Sequence, residues 1–234
     1  MKFQFKQFEV EDKNSAMKVG TDAVLLGSWV DIKNAESILD IGTGSGVIAL
    51  MLAQRSDAEI LGIDIHEASI LNATENFENS PWDIRLSAKN ISLQEFARLS
   101  SNKYDLIVSN PPFFSNSLTS PSKDKSLAKH NNSLPQIDLL KSILKLINNK
   151  GRFCVILPQI EQSAFTILAA NFGFYSVHQL RIIPKTGKPV NRIITVYSLK
   201  SFGSPLIEDL VIRDKNNKFT QDYKILTQDF YLKF

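Results

Sequence analysis

Four consecutive residues near the middle of the chain, Asn110-Pro111-Pro112-Phe113, have the groups needed to hold a planar amino group. They follow residues 104–109, a run typical of a strand buried on both faces, and ligands of open parallel α/β sheets lie just beyond such strand ends. The two prolines fix φ and remove two N–H donors, so the backbone offers only carbonyl oxygens. Asn110 adds an amide oxygen and Phe113 an aromatic face. The alternative is a strand that simply ends at prolines, and the tetrapeptide alone does not decide between them.

A glycine-rich segment is the second candidate site. Gly42-Thr43-Gly44-Ser45-Gly46 lies between a predicted strand, residues 37–41, and a predicted helix, residues 47–54. Glycine at this position lets the backbone approach a ligand closely. Asp64 ends the next predicted strand, about 20 residues further on, where a carboxylate can accept hydrogen bonds from ribose hydroxyls. These residues predict a nucleoside-containing cofactor, with a purely structural glycine turn as the alternative.

The spacing and charge of this segment indicate which cofactor it binds. Dinucleotide sites have the pattern G-x-G-x-x-G, with a helix N-terminus directed at a pyrophosphate. Here the spacing is G-x-G-x-G, and Asp40 stands two residues before the first glycine. A carboxylate at that position would repel a pyrophosphate but suits a cationic amino group. S-adenosylmethionine carries an ammonium and a sulfonium and no phosphate, so we predict S-adenosylmethionine rather than NAD.

The elements that must position these residues alternate between strand and helix. The predicted core strands are residues 37–41, 59–63, 83–86, 104–109, 152–157, 175–183 and 191–199, with helices between the first six. Such alternation predicts an α/β fold, a doubly wound, mostly parallel, seven-stranded sheet with right-handed crossovers. Only a short loop, residues 184–190, joins the last two strands, so we expect the last strand to be antiparallel.

The segments outside this core have weaker patterns. We expect residues 1–34 to form an N-terminal extension beside the cofactor and substrate, 35–200 the core, and 201–234 a C-terminal extension packed on it. Phe3, Phe5 and Phe8 have the spacing of a short strand or hairpin. Thr21 is predicted to cap a helix over 22–30. In the tail we expect strand character at 210–212 and a helix near 221–231.

Composition fits a soluble globular protein. Of the 234 residues, 43% are hydrophobic and 22% charged, and the net charge is +3. The single cysteine, Cys154, lies in an apolar run; it excludes an internal disulfide and a cysteine-based zinc site, fits a reducing compartment, and is interpreted as core filler. There is no apolar signal core, no stretch long enough to span a bilayer, and no metal-ligand constellation. We therefore expect a cytoplasmic monomer without a metal or a membrane partner.

Two basic loops are predicted to open on the same edge of the sheet as the tetrapeptide. The loop over 115–134 and the turn after the sixth strand carry Lys123, Lys125, Lys129, His130, Lys185, Lys188 and Arg192. Two basic loops beside one pocket would suit phosphate contacts to RNA, although any single lysine can equally be a solvated surface residue.

The motifs, in this order, resemble those of class I S-adenosylmethionine-dependent methyltransferases. The pattern (Asn/Asp)-Pro-Pro-(Tyr/Phe) is the hallmark of the branch that methylates amino groups. Residues 17–27 (MKVGTDAVLLG), 129–134 (KHNNSL) and 229–232 (DFYL) are similar to the bacterial tRNA1(Val) adenine-37 N6-methyltransferase family. The resemblance covers nearly the whole chain and implies methylation of the N6 amino group of adenine 37 in tRNA.

The resemblance also implies roles for individual residues. The methionine part of the cofactor would be held by Asp40, Gly42, Thr43, Gly44 and Gly46. Asp64 would take the ribose and Ile65 would pack on the adenine ring. Asn90 stands where such enzymes often carry Asp, and it still offers an acceptor oxygen. Lys18, Thr21 and Asp22 fall in the family's N-terminal cofactor-side motif, although a capped helix is an equal alternative.

For catalysis, our hypothesis is that Asn110 and the Pro111 carbonyl accept the two hydrogens of the amine while Phe113 stacks on its ring. Three other functions remain open at this point. A protein glutamine N5-methyltransferase uses the same tetrapeptide, but usually with Tyr in fourth position and a helical domain before the glycine segment. An rRNA guanine N2-methyltransferase is not excluded by the tetrapeptide. A non-catalytic RNA- or nucleotide-binding domain is disfavoured by the intact motifs.

Overall fold

The computed structural model describes residues 2–13, 18–112 and 134–233. Its strands are β1 (Lys2–Gln4), β2 (Glu9–Glu11), β3 (Ser37–Ile41), β4 (Glu59–Asp64), β5 (Leu86–Asn90), β6 (Tyr104–Ser109), β7 (Ile147–Pro158), β8 (Tyr175–Lys185), β9 (Arg192–Ser198) and β10 (Leu206–Arg213). Its helices are α1 (Thr21–Trp29), α2 (Val47–Arg55), α3 (Glu67–Glu78), α4 (Leu93–Leu99), α5 (Gln136–Leu146), α6 (Gln159–Ala170) and α7 (Gln221–Thr227).

The large sheet has the predicted doubly wound topology. Its strand order is β10-β8-β9-β7-β6-β3-β4-β5. The strands from β5 to β7 in this order are all parallel, whereas β9 is antiparallel to both of its neighbours, β7 and β8. It follows that β8 runs parallel to β6, so the turn after β8 opens on the same edge of the sheet as the tetrapeptide.

The sheet contains one strand more than predicted. Strand β10 pairs in parallel with β8, with Leu210 opposite Ile182, and makes an eight-stranded sheet. Only Leu210 of β10 is buried, and the first four residues of the strand are exposed. Because the apolar alternation of this edge strand is weak, its sequence indicated only a short stretch of strand character; pairing with β8 provides the remainder.

Two local predictions were wrong. Residues Asp83–Arg85 form a 3₁₀ turn, and the strand expected there begins at Leu86 and continues to Asn90, four residues beyond its predicted end. The ladder with β4 explains this, since backbone pairing does not depend on the polar side chains of β5. Thr21 is the first residue of α1 rather than its cap; the N-cap is Gly20, which has no side chain to bond the helix.

Helices cover both faces of the large sheet, so the side chains of each central strand alternate between two apolar cores. In β6, Leu106 and Val108 belong to the core beneath α1 and α2, and Ile107 belongs to the core beneath α4, α5 and α6. Burial on both faces explains why this strand lacks a polar alternation. Cys154 of β7 is fully buried, and burial raises the pKa of its thiol above the ordinary value, as expected of a core residue.

The two ends of the chain pack against each other on the α1 and α2 face. Strands β1 and β2 form an antiparallel hairpin, and Phe5 in its turn stacks on Phe8 with ring centroids 4.5 Å apart. The N–H of Lys6 donates to the carbonyl of Phe230 at 2.9 Å, and Gln54 of α2 donates to the carbonyl of Asp229 at 3.0 Å. The division of the chain at residues 34 and 200 stays a prediction. Within the described residues, no helix is long and apolar enough to cross a membrane.

Candidate active site

Strand pairing brings four predicted site residues to one edge of the sheet. Asp40 lies in β3, Asp64 ends β4, Asn90 ends β5, and Asn110 directly follows β6. The register places Asp64 opposite Asn90. The hydroxyl of Ser109 donates to the carbonyl of Ile41 at 3.0 Å and so ties the end of β6 to the end of β3. The tetrapeptide therefore begins beside the start of the glycine segment.

The glycine segment needs glycine for two different reasons. Gly42, Gly44 and Gly46 have φ angles of 71°, 57° and 82°, in the left-handed region that other residues disfavour. A Cβ at Gly42 or Gly44 would meet no atom within 4 Å, so the backbone there presents open faces to a ligand. A Cβ at Gly46 would lie 2.4 Å from the Phe77 ring, so the third glycine serves the packing of α2 against α3.

Asp40 is buried with one oxygen unsatisfied. Its side chain is 0% exposed, and its Oδ2 accepts a hydrogen bond from Thr43 Oγ1 at 2.7 Å. Its Oδ1 accepts no hydrogen bond from any residue that the structure describes. Burial raises the pKa of the carboxyl to about 7; the Thr43 hydroxyl and the Ala49 N–H limit that rise, and the charge of Asp64 adds to it. A buried acceptor without a partner is costly, and a cationic amino group would satisfy it.

Residues at the ends of β4 and β5, namely Asp64, Ile65 and Asn90, form a surface with polar and apolar parts, which we call the shelf. The Asp64 carboxylate accepts hydrogen bonds from the Gly44 N–H at 3.0 Å and the His66 N–H at 2.9 Å. The amide nitrogen of Asn90 donates to the Asp64 carbonyl at 3.0 Å, which orients its side chain. Ile65 is 50% exposed. This shelf combines a fixed carboxylate with an exposed apolar side chain, as the ribose and base of a nucleoside require.

The tetrapeptide is described only in part. Asn110 is half-buried, Pro111 is buried and Pro112 is exposed. Five predicted site residues lie outside the described residues: Phe113, Lys123, Lys125, Lys129 and His130.

The N-terminal motif and the second basic loop lie together. The Lys18 ammonium donates to the Asp12 carbonyl at 2.8 Å. Thr21 lines a cavity of about 540 Å³ together with Arg192, whose guanidinium donates to Asp22 at 2.9 Å. Lys185 and Lys188 lie on the turn after β8, where the Lys188 N–H donates to the Lys185 carbonyl at 2.9 Å.

One residue at the site was missed from the sequence. Asn76 on α3 is buried and forms three hydrogen bonds: its Oδ1 accepts from the Glu11 N–H at 2.8 Å, and its Nδ2 donates to the carbonyls of Glu11 at 3.0 Å and Ser45 at 2.8 Å. It thus fastens the N-terminal hairpin to the glycine segment. The sequence feature that could have indicated Asn76 is a second asparagine, Asn72, one turn away on the same buried face of an amphipathic helix.

Among the residues that the structure describes, no group of three or more His, Cys, Asp or Glu side chains is placed to hold a metal ion.

Comparison with known proteins identifies the family. A family model described as a methyltransferase domain matches residues 32–217. The chain is 40% identical over 233 residues to the tRNA1(Val) (adenine(37)-N6)-methyltransferase of Bacteroides thetaiotaomicron, with 98% of this chain and 97% of the relative covered. It is 42% identical over 236 residues to the protein of that name from Trichodesmium erythraeum, with 99% and 98% covered. The chain belongs to the tRNA1(Val) (adenine(37)-N6)-methyltransferase family.

Solved structures share the fold of this family member. A predicted O-methyltransferase of Agrobacterium tumefaciens has a TM-score of 0.70 at 17% identity, with 89% of this chain and 96% of that chain covered. The ribosomal protein L11 methylase of Lactobacillus delbrueckii subsp. bulgaricus has a TM-score of 0.57 at 18% identity, with 85% and 100% covered. At such identities these proteins show the fold alone, which is the predicted Rossmann-like class I methyltransferase fold.

Membership of the family makes the protein a methyltransferase, which removes the non-catalytic alternative. S-adenosylmethionine is its methyl donor, as the glycine spacing and Asp40 predicted. The described residues fit this cofactor. The unsatisfied Oδ1 of Asp40 suits its ammonium, Gly42 and Gly44 leave room along the backbone, and the shelf at Asp64 and Ile65 suits its nucleoside.

Asn76 should control cofactor binding by positioning the glycine segment. We expect Asn76→Ala to weaken binding of S-adenosylhomocysteine about tenfold and to cost about 1–3 kcal/mol of stability, because buried groups of Glu11 and Ser45 lose their partners. The KM for S-adenosylmethionine should rise more than kcat falls. The matched control is Asn79→Ala, which removes an exposed amide three residues later, at the residue that follows α3. Calorimetric affinity that is equal for both variants would contradict this role.

Asp40 should make cofactor binding depend on pH. Because its pKa is about 7 in the folded protein and about 3.9 in an unfolded chain, the carboxyl is largely protonated below pH 7. Binding of an ammonium then requires loss of that proton, so the affinity for S-adenosylhomocysteine should fall as the pH drops from 8 to 6. Asp40→Asn should bind weakly, with little dependence on pH.

The raised pKa of Asp40 also predicts that the cofactor-free protein becomes less stable as the pH rises, whereas cofactor binding becomes stronger. Because the pKa of Asp40 is higher in the folded than in the unfolded protein, its protonation stabilises the fold at pH values below the unfolded-state pKa. This contribution to stability is lost as the pH rises through about 7. Cofactor-free Asp40→Asn should therefore melt at a higher temperature than the wild type at pH 8, and the difference should shrink towards pH 5. A wild-type protein that melts higher than Asp40→Asn at pH 8 would contradict the assignment.

Proposed function

We propose that the protein transfers a methyl group from S-adenosylmethionine to the N6 amino group of adenine 37 in tRNA1(Val). One observation carries this proposal: Asn110 follows β6 at the edge where Asp40, the glycine segment, Asp64 and Asn90 meet. Acceptors for an amino group thus stand beside the residues suited to the methyl donor. The full-length likeness to proteins named for this tRNA reaction supports the choice of substrate.

In the proposed reaction, the protein prepares the amine of the adenine. The side-chain oxygen of Asn110 and the carbonyl oxygen of Pro111 accept its two hydrogens. These bonds reduce delocalisation of the nitrogen lone pair into the ring and direct it at the incoming methyl group. Because Pro111 is buried, its ring fixes φ and the following Pro112 restricts its ψ, the carbonyl oxygen has little freedom to move.

S-adenosylmethionine, held by Asp40, the glycine segment and Asp64, would supply an electrophilic methyl group on its sulfonium, and S-adenosylhomocysteine would be the leaving group. The N6–methyl bond forms while the sulfur–methyl bond breaks, and the nitrogen then releases one proton to solvent. Positioning and hydrogen bonding are sufficient for this step, so the protein needs no strong base. That fits a site whose described polar side chains are carboxylates, amides and hydroxyls.

The adenine must leave the base stack of the RNA to reach this edge. Aromatic side chains commonly receive such a base, and we assign this role to Phe113. Lys123, Lys125, Lys129, His130, Lys185, Lys188 and Arg192 are proposed to contact the RNA backbone. Lys185 and Lys188 follow β8, whose carboxyl end lies on the same side of the sheet as the catalytic edge, and this position supports a role in phosphate contacts. We further infer that the protein acts in the cytoplasm as a monomer and without a metal.

The proposed reaction predicts a specific product. The protein should transfer a labelled methyl group from S-adenosylmethionine to bulk tRNA from a host that lacks this gene, and nucleoside analysis should show N6-methyladenosine. A tRNA1(Val) transcript with adenine 37 replaced by guanine is the matched control and should accept no label. Label on that control, or on ribosomal RNA or protein instead of tRNA, would overturn the substrate while leaving the cofactor assignment intact.

Asn110 should matter for the rate rather than for cofactor binding. Asn110→Ala removes an acceptor used in the transition state, so we expect single-turnover methylation to slow at least ~100-fold while the Kd of S-adenosylhomocysteine changes less than about threefold. Asn102→Ala, an exposed asparagine before β6, serves as the control for asparagine removal. An unchanged rate for Asn110→Ala would refute the proposed mechanism.

A further inference from the structure

The cavity lined by Thr21 and Arg192, which we call the second cavity to distinguish it from the cofactor site, opens on the same side of the sheet as the catalytic edge. It has a volume of about 540 Å³ and lies between the start of α1, the ends of β8 and β10, and the C-terminal segment. None of the described residues that line it belongs to the glycine segment, to the strand ends at Asp64 and Asn90, or to the tetrapeptide. The cavity is therefore distinct from the glycine segment and from these strand ends, although Thr21 of the predicted N-terminal cofactor-side motif lines it, and its volume is that of an ordinary small-ligand site.

The lining combines positive charges with aromatic rings. Arg192, Arg213 and Lys233 supply the charges, and Phe219, Tyr223 and Tyr231 are among the aromatic residues. The guanidinium carbon of Arg213 lies 4.0 Å from the centroid of the Phe219 ring, and this ring stacks on Tyr223 with centroids 5.0 Å apart at 18°. A hydrogen bond from Arg213 Nη1 to the Asn217 carbonyl at 2.7 Å holds the guanidinium in place.

These groups match the chemistry of a nucleotide. Unstacked bases of single-stranded RNA bind to aromatic rings and to the planes of arginine side chains, while cations bind the phosphates. The layered arrangement of Arg213 on Phe219 on Tyr223 is such a plane already supported from below. Asp22, fixed by Arg192 at 2.9 Å, adds an acceptor for a base N–H or a ribose hydroxyl.

The position of the cavity suits a strand of RNA that also enters the active site. Strands β8 and β6 are parallel, and β9 and β7 lie between them. Three strand spacings of about 4.8 Å separate β8 from β6, and the register sets Gln179 of β8 level with Ser109. Strand β8 therefore extends about 20 Å beyond the end of β6, and its end lies roughly 25 Å from Asn110. A few nucleotides of unpaired RNA span this distance.

We infer that this cavity holds one unstacked nucleotide of the RNA substrate, in the same loop as the target adenine, with its base on the Arg213 guanidinium and its phosphates near Arg192 and Lys233. This inference rests on the proposed function and adds a second point at which the enzyme recognises its RNA. An RNA loop anchored at two points presents the target base in one orientation, which a single base pocket cannot ensure.

The test pairs a protein variant with a substrate lacking one base. Arg213→Lys keeps the positive charge and loses the planar guanidinium. Arg181→Lys is the matched control on β8, where the half-buried Arg181 is paired with Asp209. Binding of tRNA1(Val) transcripts with single abasic positions across the anticodon loop is measured for each protein by fluorescence anisotropy. Melting temperature and S-adenosylhomocysteine affinity report that the variants are folded.

We expect one abasic position, distinct from 37, to weaken wild-type binding about tenfold, the size of one stacking contact. Arg213→Lys should weaken binding of the intact RNA by a similar factor. Removing that base should then weaken RNA binding by Arg213→Lys little further. Arg181→Lys should behave like the wild type. Independently, Lys233→Ala should reduce the slope of log affinity against log salt by about one.

Three results separate the two proposals. Abasic effects that are equal in the wild type and Arg213→Lys at every position would overturn the second site while leaving the methylation proposal intact. If Arg213→Lys fails to fold, an unchanged salt slope for Lys233→Ala overturns the site instead. A wild-type protein that neither binds nor methylates tRNA would overturn both proposals together.

Discussion

The parallel register of four adjacent strands is the constraint on which the site depends. Pairing of β5, β4, β3 and β6 sets Asp64 opposite Asn90 and Ile41 opposite Ser109, so the functional side chains end at one edge. A shift of one residue in any of these strands would move each of its side chains to the opposite face of the sheet and take Asp40 or Asp64 out of place. Burial of β3 and β6 on both faces makes such a shift costly.

Between these strand ends, the buried carboxyl of Asp40 destabilises the cofactor-free protein, and the cofactor can offset that effect. Asp40 is fully buried, one of its oxygens has no partner among the described residues, and burial raises its pKa to about 7. Gly42 and Gly44, whose φ angles lie in the left-handed region, keep the adjoining backbone open. Binding of a cation at Asp40 relieves the desolvation cost, so affinity for S-adenosylmethionine is coupled to the stability of the fold.

The chain ends support the site from outside the core. The hairpin of β1 and β2 is joined to the glycine segment through Asn76 and to the C-terminal segment through Lys6 and Phe230. The same C-terminal segment supplies Tyr231 and Lys233 to the second cavity. Cofactor binding, and in our proposal RNA binding, therefore depend on residues at both ends, which agrees with a likeness to the family that extends over 98% of the chain.

The sequence by itself determined the features that consecutive residues encode. Glycine spacing, Asp40 before it, Asp64 at a strand end and the Asn-Pro-Pro-Phe tetrapeptide are local, so their order predicted the fold class, the cofactor and the reaction. Tertiary structure decided the rest. Asn76 binds Glu11 and Ser45, 65 and 31 residues away, and β10 forms by pairing with β8. The second cavity joins segments from Phe3 to Lys233. Contacts over such separations leave no regular spacing in the sequence, because they depend on how the elements pack.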